Sequence, residues 1–179
     1  MMKKQFTTIS IILLCLLSFA DRVASQGITS SDSVAVKKTI EQSIGWAIEK
    51  DFNAMFRLWA DNLFISWVFS NNIVVGLDNF KTFAEQWKDP DFRGTRFAFK
   101  NLRIVFSRSG DVAWYSSFLD DCSSYKGKES CMENVFVTGV LEKRDGRWVH
   151  VLMHGSYPVD KIPENYVRKF YSNLFEKKK

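Results

Sequence analysis

The sequence predicts an α+β fold, with helices first and an antiparallel meander after them. Residues 33–50 repeat apolar side chains at helical spacing (Val36, Ile40, Ile44, Ala47, Ile48). Four runs rich in β-branched and aromatic residues follow later, at 97–107, 112–121, 131–143 and 148–157. Strands gathered after helices, rather than alternating with them, point to helices packed on one face of a sheet. The 179 residues carry no internal repeat, low-complexity stretch or linker, so one domain is expected.

Residues 1–25 have the anatomy of a secretory signal. Lys3 and Lys4 precede a short apolar run at 9–19, and Val23-Ala24-Ser25 offers small residues before a cut at Gln26. That run is well short of the roughly 20 residues needed to span a bilayer. The expected organisation is therefore signal peptide 1–25, extension 26–32, domain 33–160, and a C-terminal helix (166–175) with a basic tail within 161–179. The expected product is exported, either periplasmic or released from the cell, without stable membrane insertion.

Within the domain, Ser30 to Ser33 supply N-cap residues for the first helix, and Asp51 opens a second through Met55, Phe56, Leu58 and Trp59. Residues 65–69 read as a strand, Asn71-Asn72 as a turn, and 73–75 as a short return. Gly76-Leu77-Asp78 starts a third helix carrying Phe80, Phe83, Ala84 and Trp87, and Pro90 halts it. Ser109-Gly110-Asp111, a polar loop at 123–130 and Asp145-Gly146 separate the four long strands, the last being a tight-hairpin dipeptide.

The composition is 46% apolar and 15% aromatic, which excludes disordered and fibrous classes. Net charge is +5, or +3 once the signal is removed, too weak to imply nucleic acid. Cys15 lies in the signal, leaving Cys122 and Cys131 as the mature pair, and an oxidising compartment favours a disulfide between them. Two cysteines without a neighbouring His or third Cys do not make a metal site. No cofactor is expected.

Strand alternation assigns faces. Val149, Val151 and Met153 are wholly apolar and are expected to face the helices, together with Val135, Val137, Gly139 and Leu141. Trp114, Phe118, Phe136, Trp148 and Leu152 are then expected on the opposite face, too aromatic to remain wet, and a two-fold dimer packing sheet on sheet is the expected cover. His150 and His154, at i and i+4, fall on that same face about 13 Å apart, too far for one metal ion.

Five segments, in order, give the chain a resemblance: Asp51-Phe52, Leu58-Trp59-Ala60-Asp61, Gly76-Leu77-Asp78, Asp145-Gly146-Arg147-Trp148 and His154-Gly155-Ser156-Tyr157-Pro158. Over about 33–160 it resembles the nuclear transport factor 2-like superfamily, most closely its SnoaL-like branch in a secreted bacterial form. The ending is also similar to the association domain of calcium/calmodulin-dependent kinases. The resemblance implies a cystatin-like cone, in which three helices close a strongly curved, antiparallel or mixed sheet over a pocket. It also implies dimers through the sheet.

Fold does not carry function here, so the residues are tested singly. The steroid isomerase of this superfamily works with an Asp base and an oxyanion hole made by a Tyr and a protonated Asp. Ungapped counting places the base position on Trp67, the tyrosine on Ser43, and the second aspartate near Thr138 or Gly139. None performs that chemistry. His154 faces away from the apolar set, Asp120-Asp121 reads as a solvated strand edge, and Ser43, Ser66 and Ser117 lack a His partner.

What remains is an apolar small-molecule site. Trp67 and Phe80 are carried over from family pocket positions, and Tyr115, Ser117, Val137, Gly139, Met153 and Gly155 join them, with Trp46 contributing from the first helix. The expected function is non-catalytic binding of a small apolar ligand. The alternatives are a lyase, isomerase or hydrolase using His154 or Asp121 as base, and a dimeric interaction domain.

Overall fold

The computed structural model describes residues 29–66 and 73–157. The signal segment, Trp67, the Asn71-Asn72 turn and the C-terminal helix expected at 166–175 lie outside the described residues.

Helix α1 (Ser30–Glu49) begins at a capping box: Asp32 N–H donates to the Thr29 hydroxyl, and the Asp32 carboxylate accepts from the Thr29 backbone. It starts three residues before the apolar periodicity, because the cap and not the stripe sets its end. Helix α2 (Phe52–Phe56) is capped by the Asp51 carboxylate on Ala54 N–H. It is shorter than the expected second helix. Trp59 already belongs to β1 (Trp59–Ser66), which pairs with β2 (Ile73–Val75). Helix α3 (Leu77–Ala84) and a 3₁₀ turn (Glu85–Lys88) follow.

Strands β3 (Phe92–Phe106), β4 (Val112–Tyr125), β5 (Lys128–Arg144) and β6 (Arg147–Ser156) form the meander. The sheet order is β2-β1-β6-β5-β4-β3, antiparallel except for the parallel β1–β6 pair. This is the expected α+β cone with a curved mixed sheet.

Asp145-Gly146 makes the expected two-residue hairpin, both residues at positive φ (50° and 74°). The polar stretch between the cysteines is not a loop. The strands run through it to a second tight turn at Lys126-Gly127, and Cys122 and Cys131 sit directly opposite each other, joined by a disulfide.

Helix α1 crosses the sheet closely at β3. A Cβ on Gly94 would lie 2.7 Å from Ala47 Cβ, so glycine there permits the approach. The core between helices and sheet gathers Val36, Ile40, Met55, Leu63, Leu119, Val135, Val137 and Leu141, all fully buried.

Two bulges set which side chains face this core. On β6, Val140 pairs with Leu152 but Leu141 pairs with His150, so Val151 is an extra residue. The phase reverses there. Met153 faces inward as expected, but Trp148 and His150 face inward as well, correcting their assignment to the outer face. The second bulge is on β5: Leu119 pairs with Val135 and Asp121 with Met132, so the extra residue falls at 133–134, where Asn134 has φ 57°, and Met132 turns to the inner face.

Candidate functional site

The inner wall of the sheet has two ends, one at the β5–β6 turn and one at the disulfide. At the turn end, Trp148 Nε1 donates to Asp32 Oδ1 at 3.0 Å, and the Lys143 ammonium sits 2.7 Å from the same oxygen. These contacts, led by Lys143 and followed by Thr29 and Trp148, hold the Asp32 carboxyl well below the ordinary carboxylate range. The arrangement ties the first turn of α1 to β5 and β6. The Thr39 hydroxyl adds a bond to Trp148 O at 3.4 Å.

One step further along β6, His150 is completely buried. The Trp59 ring lies against it at 4.8 Å, and the Tyr115 ring meets it edge-on at 5.8 Å. Phe80 packs on Trp59 at 5.1 Å, carrying the wall onto α3. A Cβ on Gly139 would fall 2.5 Å from the Tyr115 ring and 2.8 Å from Leu152 O, so only glycine leaves room for the phenol there. Burial pushes the His150 imidazole down to about 4 and the Tyr115 phenol up, keeping both neutral.

Within this ring cluster four buried polar atoms lack a geometrically sound hydrogen bond: Trp59 Nε1, Tyr115 Oη, and both nitrogens of His150. Such atoms are rare in native interiors and normally mark a water, a ligand or a functional group.

At the disulfide end, Asp121 pairs with Phe97 on β3 and Met132 on β5, and so faces inward with them. Its carboxyl is pushed up to about 6 by desolvation. Asp120, one residue earlier, faces outward, where Lys100 Nζ pairs with it at 2.8 Å. Adjacent residues of a strand point to opposite faces, so the two carboxylates lie on opposite sides of the sheet, correcting their reading as one solvated edge.

Of the expected pocket residues, Phe80, Tyr115, Ser117, Val137, Gly139, Met153 and Gly155 are all buried. Phe80, Tyr115, Val137 and Met153 belong to the continuous core, and Trp46 packs against it from α1. The Ser117 hydroxyl donates to Lys100 O at 2.8 Å, which commits it to the backbone. Ser43 likewise donates to Ile40 O at 2.7 Å.

On the outer face, Trp114 (45% exposed) and Phe136 (38% exposed) lie with half-buried Phe118 and Leu152, and the Phe118 and Phe136 rings are 5.5 Å apart. His154 is on this face, level with Thr138 and opposite in sense to His150. Two depressions of about 340 and 600 Å³ meet there at Arg103 and Ser116. A third, of about 450 Å³, lies between α2, α3 and the β5–β6 turn, with both acidic and basic lining.

Sequence reasoning missed Trp59, His150 and Asp121 as members of the inner wall. Asn134 carried a usable signal for one bulge, since Asn tolerates positive φ better than most residues. The unbroken apolar run around His150 carried none, because either phase of alternation fits it.

No cluster of three or more potential metal ligands occurs among the described residues, and none of the helices there is long and apolar enough to cross a membrane. The profile of the SnoaL-like domain matches residues 36–160. No curated protein matches the chain. Among solved structures it is similar to a candidate scytalone dehydratase from Novosphingobium aromaticivorans (16% identity, 75% of this chain and 100% of that one, TM-score 0.62). It is also similar to a nuclear transport factor 2-like protein of unknown function from Pseudomonas putida (14%, 78% and 94%, TM-score 0.60). A third is a candidate calcium/calmodulin-dependent protein kinase II association domain from Xanthomonas campestris (18%, 70% and 86%, TM-score 0.59). At these identities the structural likenesses speak for the fold. With the family profile spanning most of the described chain and the cone topology beneath it, the protein belongs to the SnoaL-like domain family.

Proposed function

We propose that this domain holds a small, largely apolar ligand against the inner wall of its sheet and does not catalyse a reaction on it. The observation that carries the reading is a set of buried polar atoms without a sound hydrogen bond on three touching rings, Trp59 Nε1, Tyr115 Oη and the His150 nitrogens, the last approached only by the Thr39 and Leu152 backbone, in an otherwise apolar wall. Each such atom costs about 1–3 kcal/mol when left unsatisfied, and a ligand bearing one or two polar atoms recovers part of that. Catalysis has less support. An imidazole near 4 is a weak base at neutral pH, and Asp121 lies six residues along β4 from Tyr115, about 20 Å away. A lyase, isomerase or hydrolase reading therefore rests on Asp121 without a second acid or base from the ring cluster.

Native mass spectrometry and thermal-shift titration with substituted phenols and short-chain ketones test the proposal. Binding is expected, weakened several-fold in Tyr115→Phe, which keeps the ring and removes the oxygen. No binding by any probe, or binding indifferent to Tyr115→Phe and His150→Phe, overturns it.

A second reading concerns the outer face. The exposed Trp114 and Phe136, continuous with Phe118 and Leu152, favour a two-fold dimer through this surface, since soluble monomers rarely keep such patches wet. Sedimentation equilibrium is expected to give a dimer, and Phe136→Glu a monomer; a wild-type monomer removes the reading. The Cys122–Cys131 disulfide supports export after cleavage near Gln26. N-terminal sequencing of protein recovered outside the cytoplasm checks it, and an intact Met1 terminus counts against it.

A further inference from the structure

We infer that the chain's own C-terminal segment, residues 166–175, docks on the outer face of the sheet, across Phe118 and Phe136. The inference is independent of the inner-wall ligand. It leaves the surface around Trp114 and Leu152 to the second copy of the dimer reading.

The receiving surface is a row across four strands. Ser156 on β6 pairs with Phe136 on β5, Phe136 with Phe118 on β4, and Phe118 with Lys100 on β3. Three strand spacings of about 4.8 Å make this row roughly 14 Å long. The two rings lie 5.5 Å apart, and Phe136 stays 38% exposed. Beside them is the depression of about 600 Å³, which Asn101, Arg103 and Ser116 line together with both rings.

The sequence supplies an occupant of matching size and pattern. At helical spacing Tyr166, Val167, Phe170, Tyr171, Leu174 and Phe175 fall on one side of the segment, and Arg168, Lys169 and Glu176 on the other. Ten helical residues are about 15 Å long, which is the length of the row. So wide an apolar side needs a surface to bury it. The attachment point selects the surface. The described chain ends one residue beyond Ser156, the partner of Phe136, at one end of the row. From there residues 158–165, with Pro158 and Pro163 interrupting any helix, reach roughly 28 Å at most. That is enough to turn back over the row. A tether this short holds the segment at about millimolar effective concentration over its own sheet, well ahead of a second copy at micromolar concentration.

The test is hydroxyl-radical footprinting of the full chain. Oxidation of Phe118 and Phe136 is read by mass spectrometry, with exposed Tyr125 as the internal reference. In the double variant Phe170→Asp, Leu174→Asp both rings are expected to oxidise at least threefold faster, with Tyr125 unchanged. In the unmutated chain their protection is expected to hold over a hundredfold dilution. Rings equally reactive in the two proteins overturn the inference, and protection lost on dilution overturns it by giving the row to a second copy. A reciprocal readout leaves the segment intact: Phe136→Glu is expected to speed tryptic cleavage after Arg168 and Lys169 at least fivefold, because a released segment opens more readily. An unchanged cleavage rate in a variant that circular dichroism shows to be folded also overturns the docking.

Discussion

The two ends of the inner wall carry titratable groups that the same force perturbs in opposite directions. At the turn end, desolvation pushes His150 down to about 4, while at the disulfide end it pushes Asp121 up to about 6. Both shifts favour the neutral form, which is all that burial can do. The surroundings differ. His150 is wedged between two rings beside an anchored helix start, with Asp32, Lys143 and Trp148 closing the end of the sheet. Asp121 lies beside Phe97 and Met132, with no ion pair among the described residues. The turn end is anchored to the first turn of α1.

The largest expected effect tests whether the turn end is a structural anchor. Trp148→Ala should cost about 3–5 kcal/mol in denaturant unfolding, because it removes a buried indole and leaves the wall behind it empty. Trp114→Ala, on the outer face, should cost the monomer less than about 1 kcal/mol. Equal losses would mean that the bulge at Val151 does not reverse the phase of β6.

His150 comes next. Its folded pKa lies below the unfolded value of 6.5, so the neutral fold is fully favoured above that pH and loses stability as pH falls from 6.5 towards 4. The shift corresponds to about 3 kcal/mol. His150→Phe should remove that portion of the acid limb in a pH series of unfolding curves, and an unchanged limb would place the imidazole in water.

Asp121 has the reverse sign. Its folded pKa lies above the unfolded 3.8, so its contribution is best below 3.8 and is lost as pH rises through 6. Asp121→Asn should therefore stabilise the ligand-free protein at pH 7.5 by about 2 kcal/mol, the full linkage value being discounted for partial exposure. The gain should vanish near pH 3.5. A destabilised variant at pH 7.5 would reveal a cation already paired with this carboxylate.

The smallest effect separates neighbours. Lys100→Met removes the cation from Asp120, a half-exposed pair on the outer face, and should cost only about 0.5 kcal/mol. A loss several times larger would mean that the Asp120 bond to Asn134 N–H, which seats the second bulge at 2.8 Å, depends on that lysine.

The apolar spacing of α1, the Phe80–Ala84 face of α3, the Asp145-Gly146 hairpin and the pairing of Cys122 with Cys131 were determined by the sequence alone. Each depends on residues close in the chain or on the absence of any other partner. The order of helices and strands, and with it the SnoaL-like cone, was legible for the same reason. The buried identity of Tyr115, Val137, Gly139 and Met153 also followed from alternation, which is local. What only the tertiary structure decided was the phase beyond each bulge. A bulge is a mismatch between two strands, and nothing in the run Trp148-Val149-His150-Val151-Leu152-Met153 says which of its residues will find no partner across β5. That one extra residue carries Trp148 and His150 from the outer face into the core, and its counterpart on β5 turns Met132 to the inner face opposite Asp121. The polar chemistry of the inner wall is written in strand register, and register is settled by packing α1 and the neighbouring strands together.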